Sequence, residues 1–122
     1  MSHNILIVDD NAVLRQLLRT CIEQDPQWKV CGEAENGKQA IEKVAELKPD
    51  IVLLDLQMPV MNGLDAARRI KAIAPNAAML MFTMHASPEL LHEAHAAGIR
   101  DVVSKTDRLV ERLFPALREA CA

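Results

Sequence analysis

Short runs of consecutive apolar residues alternate along this chain with longer segments in which apolar residues recur every three or four positions. Runs of the first kind are typical of strands buried on both faces of a sheet, and segments of the second kind are typical of amphipathic helices. The pattern predicts strands at residues 4–8, 28–34, 50–54, 77–82 and 100–104. It predicts helices at residues 11–24, 37–47, 62–74 and 87–97, and a further helix from near residue 107 toward residue 121.

The alternation of strand and helix indicates an α/β domain with a parallel sheet covered on both faces. Because crossover connections are right-handed, few topologies remain, and we expect the flavodoxin-like, doubly wound (βα)5 arrangement with the strand order 2-1-3-4-5. The second strand alternates more than the others and is expected near an edge. Asn36 and the Ser87–Pro88 pair are predicted to begin helices, and Gly98 is predicted to end one.

Acidic residues follow two predicted strands that are neighbours in the expected order. Asp9 and Asp10 follow the first strand, and Asp55 follows the third. The carboxyl ends of parallel strands lie on one edge of a sheet, so the three carboxylates are expected to converge there. Crowded carboxylates repel one another, and Mg²⁺, which prefers oxygen ligands, would remove that penalty. Thr83 and Lys105 end two further apolar runs, and the whole set suits phosphoryl chemistry on a carboxylate.

Composition narrows the class of protein. The 122 residues are 50% apolar and 25% charged, which is ordinary for a globular chain, and we expect a single domain over residues 1–122. The net charge of −3 and the lack of a basic face argue against direct binding to nucleic acid. No signal peptide is evident and no apolar stretch approaches the length of a membrane span. The three widely spaced cysteines suit a reducing cytosol, so a cytoplasmic location is expected.

Several segments in order, each at a predicted strand end, make the chain resemble the receiver domain of bacterial two-component response regulators. They are ILIVDDN, IVLLDLQMPVMNG, the threonine of MFTMH and the lysine of VVSK. The resemblance covers residues 4–121 and is closest to receivers of the NarL/FixJ type, which are usually attached to a helix-turn-helix domain.

The resemblance implies a signalling function in a two-component phosphorelay. Asp55 matches the phosphoacceptor aspartate, and Thr83 and Lys105 match the hydroxyl and the lysine that contact the phosphoryl group. The phosphoryl group would come from a phosphohistidine of a sensor kinase or of a histidine phosphotransfer protein, and it would be lost by hydrolysis. Such a module acts on its own aspartate and does not turn over a free substrate.

The resemblance also implies a set of metal ligands. Asp9 and Asp10 match the acidic pair that holds Mg²⁺, with Asp10 the direct ligand and Asp9 acting partly through water. Asp55 and the backbone carbonyl of Gln57 match the remaining protein ligands.

The chain departs from the family pattern at two positions. In the family, an aromatic residue whose ring moves on phosphorylation usually lies three residues before the lysine, where this chain has Val102. The residue after the lysine is often proline, where this chain has Thr106. Since Val102 cannot swing a ring between buried and exposed positions, we expect the signal to travel through residues 83–87 and the start of the fourth helix. Gln57 and His85, which flank the site, are expected to set how easily water reaches the phosphoryl group.

Pro115 lies inside the apolar pattern of the predicted fifth helix. Proline removes one backbone hydrogen bond and clashes with the carbonyl of Glu111, at a cost of roughly 3 kcal/mol in a straight helix. We therefore expect a bend, or a short break before Pro115. The surface of helix four, strand five and helix five is expected to bind a partner or a second copy of the chain through a modest, reversible contact.

Other assignments remain for parts of the pattern. Asp9 and Asp10 could simply cap the first helix. His92 and His95 lie three apart on a predicted helix, but zinc would need a further ligand of fixed geometry. A Mg²⁺-dependent phosphohydrolase usually carries a second Asp two residues after its nucleophile, where this chain has Gln57. The chain is expected either to act alone or to be the excised receiver of a helix-turn-helix transcription regulator.

Overall fold

The computed structural model describes residues 3–105 and 108–121. Its strands are β1 (His3–Val8), β2 (Trp28–Ala34), β3 (Ile51–Asp55), β4 (Ala78–Thr83) and β5 (Ile99–Ser104). They form one parallel sheet in the order β2-β1-β3-β4-β5, so the predicted flavodoxin-like topology is confirmed. β1 and β3 lie side by side at the point where the strand order reverses, and β2 lies at an edge as its alternating pattern predicted.

A helix follows each strand, and the first four helices begin at capping side chains. The helices are α1 (Ala12–Ile22), α2 (Gly37–Leu47), α3 (Gly63–Ile73), α4 (Pro88–Ala96) and α5 (Leu109–Ala120). The side chains that cap the first four helices accept hydrogen bonds from backbone N–H groups of the first turn, and they belong to Asn11, Asn36, Asn62 and Ser87. Gly98, with a φ of 94°, follows α4 as predicted. None of the helices in the described residues is long and apolar enough to cross a membrane.

The sheet divides the core into two apolar layers. Alternate residues of a strand point to opposite faces, so Ile5 and Ile7 pack into one layer and Leu6 and Val8 pack into the other. Residues of α1 and α5 cover the first layer, and residues of α2, α3 and α4 cover the second. β3 and β4 are buried along their whole length, so packing restricts the positions of the residues at their carboxyl ends.

The bounds of β2 and α2 match the sequence prediction, and the other element boundaries in the described residues differ from it by at most two residues, which is common at the ends of elements. α1 ends at Ile22, and the N–H of Asp25 bonds to the carbonyl of Ile22 in a turn. Pro26 disfavours helical backbone at Asp25, so the helix cannot continue as far as predicted. β3 includes Asp55, because Asp55 pairs with Phe82 of β4.

α5 continues through Pro115 without interruption. The predicted break before Pro115 is therefore wrong, because Leu113, Ala116 and Leu117 pack into the core and hold both halves of the helix despite the missing hydrogen bond. A bend at this proline stays a prediction. The predicted helix start at residue 107 and the departure at residue 106 lie outside the described residues.

Candidate functional site

Three carboxylates meet at the carboxyl edge of the sheet. Asp9 and Asp10 directly follow β1, and Asp55 is the last residue of β3. Because these strands are adjacent and parallel, one carboxylate oxygen from each residue lies within 4.8 Å of the others. Asp9 is fully buried and Asp55 is 5% exposed, whereas Asp10 is exposed. Across residues 3–105 and 108–121, no other group of three or more His, Cys, Asp or Glu side chains comes together in this way.

The ammonium of Lys105 enters this cluster from the end of β5. Its Nζ lies 2.7 Å from Oδ2 of Asp9 and 3.1 Å from Oδ1 of Asp55. Nζ also lies 4.9 Å from the centre of the Phe82 ring, which adds a cation–π contact. The strand-end position of Lys105 therefore brings one positive charge to two of the three carboxylates.

Three carboxylates and one ammonium leave this cluster with excess negative charge when all four groups are ionised. Burial raises the pKa of Asp55 and the charge of Asp9 raises it further, while the hydrogen bond from Lys105 lowers it without cancelling the shift. Burial lowers the pKa of Lys105, but the hydrogen bonds to Asp9 and Asp55 and the negative charges of these residues together outweigh burial, so this pKa is raised. A divalent cation among the oxygens would relieve the excess charge.

Hydrogen bonds occupy both carboxylate oxygens of Asp9, so the carboxylate of Asp10 is more available to a metal. Oδ2 of Asp9 accepts from Lys105, and Oδ1 accepts from the backbone N–H of Asn11 at 2.8 Å. In the described part of the chain no donor reaches the carboxylate of Asp10, which lies beside that of Asp55. Hard oxygen donors of this kind fit Mg²⁺, which binds proteins through one or two carboxylates and keeps several waters.

Thr83 ends β4, the strand next to β3. Phe82 pairs with Asp55 in the β3–β4 ladder, so Thr83 lies one residue farther toward the carboxyl edge. Its side chain is buried, and its hydroxyl accepts a hydrogen bond from the N–H of His85 at 3.3 Å. Its carbonyl accepts from the N–H of Lys105 at 2.7 Å, so the backbone links Thr83 directly to the residue that contacts Asp55.

The loop between β3 and α3 passes close to the backbone of Asp55. The N–H of Gly63 donates to the carbonyl of Leu56 at 2.8 Å, and a Cβ on Gly63 would lie 2.2 Å from the carbonyl oxygen of Asp55. Glycine alone fits such a close approach. Val60 has a φ of 70°, a left-handed conformation that costs a β-branched residue about 1–3 kcal/mol. Gln57 is exposed in this loop, and the role of its carbonyl as a ligand stays a prediction.

Sequence reasoning missed two residues that hold the site. Arg15 of α1 donates from Nη1 to the carbonyl of Asp9, and from Nε to Oε1 of Glu33 at 3.0 Å. The position of Arg15 just after the acidic pair was a partial signal, but no sequence pattern joins it to Glu33. The histidine pair on the fourth helix belongs to no metal group in the described residues, and Nε2 of His95 lies 3.1 Å from the carbonyl of Arg100.

An exposed apolar surface borders the acidic cluster. Val13 and Leu17 of α1 are 79% and 52% exposed, and Met84, after β4, is 64% exposed. A cleft of about 420 Å³ between α1 and α5 is lined by Leu17, Met84, Lys105 and Val110, among others. An apolar patch beside a charged site is typical of a surface that another protein covers.

Comparison with known proteins finds the same family over nearly the whole chain. The family model for the response regulator receiver domain matches residues 5–114. The chain is 42% identical to the chemotaxis protein CheY of Thermotoga maritima over 93% of this chain and 96% of that protein. The response regulator domain of CheB from Thermotoga maritima superposes with a TM-score of 0.92 at 29% identity, covering 98% of this chain and 96% of that one. A LuxR-family response regulator from Aurantimonas sp. SI85-9A1 superposes with a TM-score of 0.91 at 30% identity, covering 99% and 86%.

Some relatives are much longer than this chain. It spans 20% of the protein-glutamate methylesterase/protein-glutamine glutaminase of Pseudoalteromonas atlantica and 34% of the corresponding enzyme 2 of Methanosarcina acetivorans. The similarity concerns one part of those enzymes, so their activity does not follow for this chain.

Proposed function

The chain belongs to the family of response regulator receiver domains, and on that premise we propose that it is a phosphorylation-dependent signalling module. It takes a phosphoryl group onto Asp55 from a phosphohistidine of a sensor histidine kinase or of a histidine phosphotransfer protein, with Mg²⁺ bound beside it. The observation that carries this proposal is the convergence of Asp9, Asp10 and Asp55, with the ammonium of Lys105 paired to Asp9 and Asp55.

Asp55 is the nucleophile of the transfer. One of its carboxylate oxygens forms a bond to phosphorus while the phosphorus–nitrogen bond to the imidazole breaks, and the imidazole leaves with that electron pair. Negative charge is spread over the three equatorial oxygens of the transferred group. Lys105, already 3.1 Å from Asp55, pairs with one of these oxygens, and the hydroxyl of Thr83 donates to another.

The metal ligands divide into direct and indirect ones. Asp10 and Asp55 would hold Mg²⁺ directly, Asp9 would act partly through water, and the backbone carbonyl of Gln57 would complete the protein ligands. The hydrogen bonds that occupy both oxygens of Asp9 support this division. When bound, the metal supplies positive charge to the phosphoryl oxygens.

Hydrolysis of the aspartyl phosphate ends the signal. Water attacks phosphorus and the carboxylate of Asp55 leaves, so the chain catalyses only changes at its own aspartate. Gln57 and His85, both exposed beside the site, limit how easily that water arrives. A phosphohydrolase acting on free substrates is not favoured, because Gln57 offers no acid or base two residues after Asp55.

The donor and the target use different surfaces in this proposal. The donor docks over α1 and the segment after β4, where Val13 and Leu17 of the helix and Met84 of the segment expose apolar area beside the acidic cluster. On phosphorylation the hydroxyl of Thr83 is drawn toward the phosphoryl group, and residues 83–87 carry this movement to α4. The surface of α4, β5 and α5 then changes its affinity for a target protein or for a second copy of the chain.

The relatives are compatible with two ways in which the receiver could pass on its signal. Similarity to a chemotaxis protein and to a LuxR-family regulator supports either a target bound by the receiver itself or control of an attached helix-turn-helix domain. Both forms act in the cytoplasm, and neither requires the receiver to contact nucleic acid directly.

Labelling with a small phosphodonor tests the proposed function. After incubation with acetyl phosphate and Mg²⁺, intact-mass measurement should show one added phosphoryl group on the unmodified chain and none on Asp55→Asn. Asp101→Asn, which changes an exposed carboxylate on β5 outside the site, should be labelled normally. A chelator should suppress labelling. Undiminished labelling of Asp55→Asn would overturn the assignment of the phosphoacceptor.

A further inference from the structure

We infer that Arg15 is a positioning residue for the metal site and that Glu33 holds it in place. The inference rests on the proposed function, because it concerns how the chain presents Asp10 to Mg²⁺. Arg15 lies in the first turn of α1, just after the residues that carry the acidic pair. Its Nη1 donates to the carbonyl oxygen of Asp9, and its Nε donates to Oε1 of Glu33 at 3.0 Å. Arg15 therefore ties the end of β1 to the end of β2.

The carbonyl of Asp9 matters because it belongs to the peptide unit that joins Asp9 to Asp10. A peptide unit is planar, so holding its oxygen restricts the direction in which the next residue projects. Asp10 is exposed, and no donor in the described residues holds its carboxylate, yet this carboxylate lies within 4.8 Å of those of Asp9 and Asp55. The backbone thus orients this ligand, and the side chain that holds this part of the backbone is that of Arg15.

The other polar groups of Asp9 are also held. Its N–H donates to the carbonyl of Ala34 at 3.0 Å, and Oδ1 accepts from the N–H of Asn11 at 2.8 Å. Oδ2 accepts from Lys105 at 2.7 Å. The carbonyl is the remaining polar group of Asp9, and the bond from Arg15 completes the set that fixes its position.

Glu33 keeps the guanidinium of Arg15 away from the metal ligands. Its two oxygens accept from Nε of Arg15 and from Nε of Arg19, each at 3.0 Å. A guanidinium free to rotate pairs readily with carboxylates, and at Asp10 it would compete with a cation. Because Glu33 on β2 holds this guanidinium through Nε, Arg15 can donate to a carbonyl of the site without occupying a ligand oxygen.

Arg19 provides a matched control within the same ion-pair network. It lies on the same helix, shares Glu33 and also pairs with Glu23 at 3.8 Å, but its bonds do not include the carbonyl of Asp9. Replacing either arginine by Met removes one salt bridge to Glu33 and leaves an apolar side chain. Only the Arg15 variant also loses the bond to Asp9, so a difference in Mg²⁺ affinity between the variants reports that bond.

Titration with Mg²⁺ alone, followed by the backbone amide shifts of Asp10 and Asn11, measures the dissociation constant without any activity. Partners that orient metal ligands typically change affinity by about 10–100-fold, so we expect Arg15→Met to raise the dissociation constant roughly tenfold and Arg19→Met to change it less than about twofold. Arg15→Lys should give an intermediate value, since lysine can still donate one bond to the carbonyl. At saturating Mg²⁺, the rate of phosphorylation of Arg15→Met by acetyl phosphate should return to that of the unmodified chain.

The outcomes separate the inference from the proposed function. Equal Mg²⁺ affinity of folded Arg15→Met and Arg19→Met would overturn the inference and leave the proposed function intact. Should Arg15→Met fail to fold, equal affinity of Arg15→Lys and Arg19→Lys would overturn it in the same way. Failure of the unmodified chain to bind Mg²⁺ would overturn the proposed function, and the inference with it.

Discussion

The ammonium of Lys105 lies 2.7 Å from Oδ2 of Asp9, although 96 positions separate the two residues in the chain. The side chain of Asp9 is fully buried, and a buried carboxylate without a partner charge is strongly destabilising. The pair therefore links the end of β1 to the end of β5. The same ammonium lies 3.1 Å from Asp55, so the chemistry proposed for Asp55 would take place beside a cation that folding has already positioned.

Replacing Asp55 by Asn should raise the free energy of unfolding at neutral pH. Burial, and then the charge of Asp9, raise the pKa of Asp55, so the folded protein binds this proton more tightly than the unfolded chain does. The ionised carboxylate therefore opposes folding above the raised pKa. This effect fades as the pH falls through that pKa and is gone below the ordinary value of about 3.9.

Urea unfolding at several pH values checks this prediction. The stability gained by Asp55→Asn should be present at neutral pH and should shrink in acid, while Asp101→Asn, at an exposed position, should differ little from the unmodified chain at any pH. A lower stability of Asp55→Asn at neutral pH would contradict the charge balance described here.

Mg²⁺ should stabilise the folded chain, and Asp10→Asn should remove most of this effect. A ligand that binds only the folded state adds about 2.7 kcal/mol at about 100 times its dissociation constant. Melting temperatures with Mg²⁺ and with a chelator measure the effect. In chelator, Asp10→Asn should be at least as stable as the unmodified chain. Burial and the charge of Asp9 raise the pKa of Asp55, and the charge of Asp10 raises it further, so removing that charge makes the ionised form of Asp55 less unfavourable. An unchanged response to Mg²⁺ in Asp10→Asn would speak against its role as a ligand.

Gly63→Ala should destabilise the fold by roughly 1–3 kcal/mol, the usual cost of forcing an extra carbon into a packed site. The added Cβ would lie 2.2 Å from the backbone oxygen of Asp55, which cannot move without shifting Asp55 itself. Gly32→Ala is the matched control, because its Cβ would meet Cδ1 of Leu47, the free end of a flexible side chain. Denaturant unfolding compares the two variants, and an equal, small loss in both would show that the loop near Asp55 can give way.

Thr83→Ala should permit phosphorylation of Asp55 but uncouple it from movement of residues 83–87. Val102 has one stiff χ1 torsion and cannot act as a rotating aromatic switch, so the threonine hydroxyl is expected to start the signal. Amide shifts with and without beryllofluoride, a mimic of the phosphoryl group, measure the movement. Thr83→Ser keeps the hydroxyl and should behave as the unmodified chain. Shifts confined to β5, with residues 83–87 unchanged, would show this route to be wrong.

Pro115→Ala should stabilise the fold by up to about 3 kcal/mol, the difference between the two residues in a helix interior. α5 is continuous through Pro115, so the new N–H can bond to the carbonyl of Glu111 without rearrangement of the helix. Pro75→Ala, in the connection after α3, should have a much smaller effect. Thermal unfolding decides the matter, and no gain in Pro115→Ala would mean that the helix already accommodates proline without strain.

The order of the elements and the place of the site could be predicted from the sequence. The spacing of apolar residues within one segment reflects which of its side chains are buried. Continuous apolar runs therefore predicted the buried strands, and helical spacing predicted the buried faces of the helices. Parallel strands must share a carboxyl edge, and the residues that end them therefore had to meet. Asp9, Asp10 and Asp55 come together in the structure for this reason.

The partners of the charged groups could not be predicted in the same way. The bridge from Lys105 to Asp9 and Asp55, and the link from Arg15 to Glu33, join residues that are distant in the sequence. Their distances depend on how both helical layers pack on the sheet. The periodicity of a single segment carries no information on these distances.

Packing also decided which apolar residues stay exposed and how α5 passes Pro115. The helical spacing of α1 places Leu17 and Leu18 together, but Leu18 is 1% exposed and Leu17 is 52% exposed. Sequence determines that a residue is apolar and on which face of its helix it lies. Whether another element covers that face, or holds a helix together across a proline, depends on residues elsewhere in the chain, so the tertiary structure alone decides it.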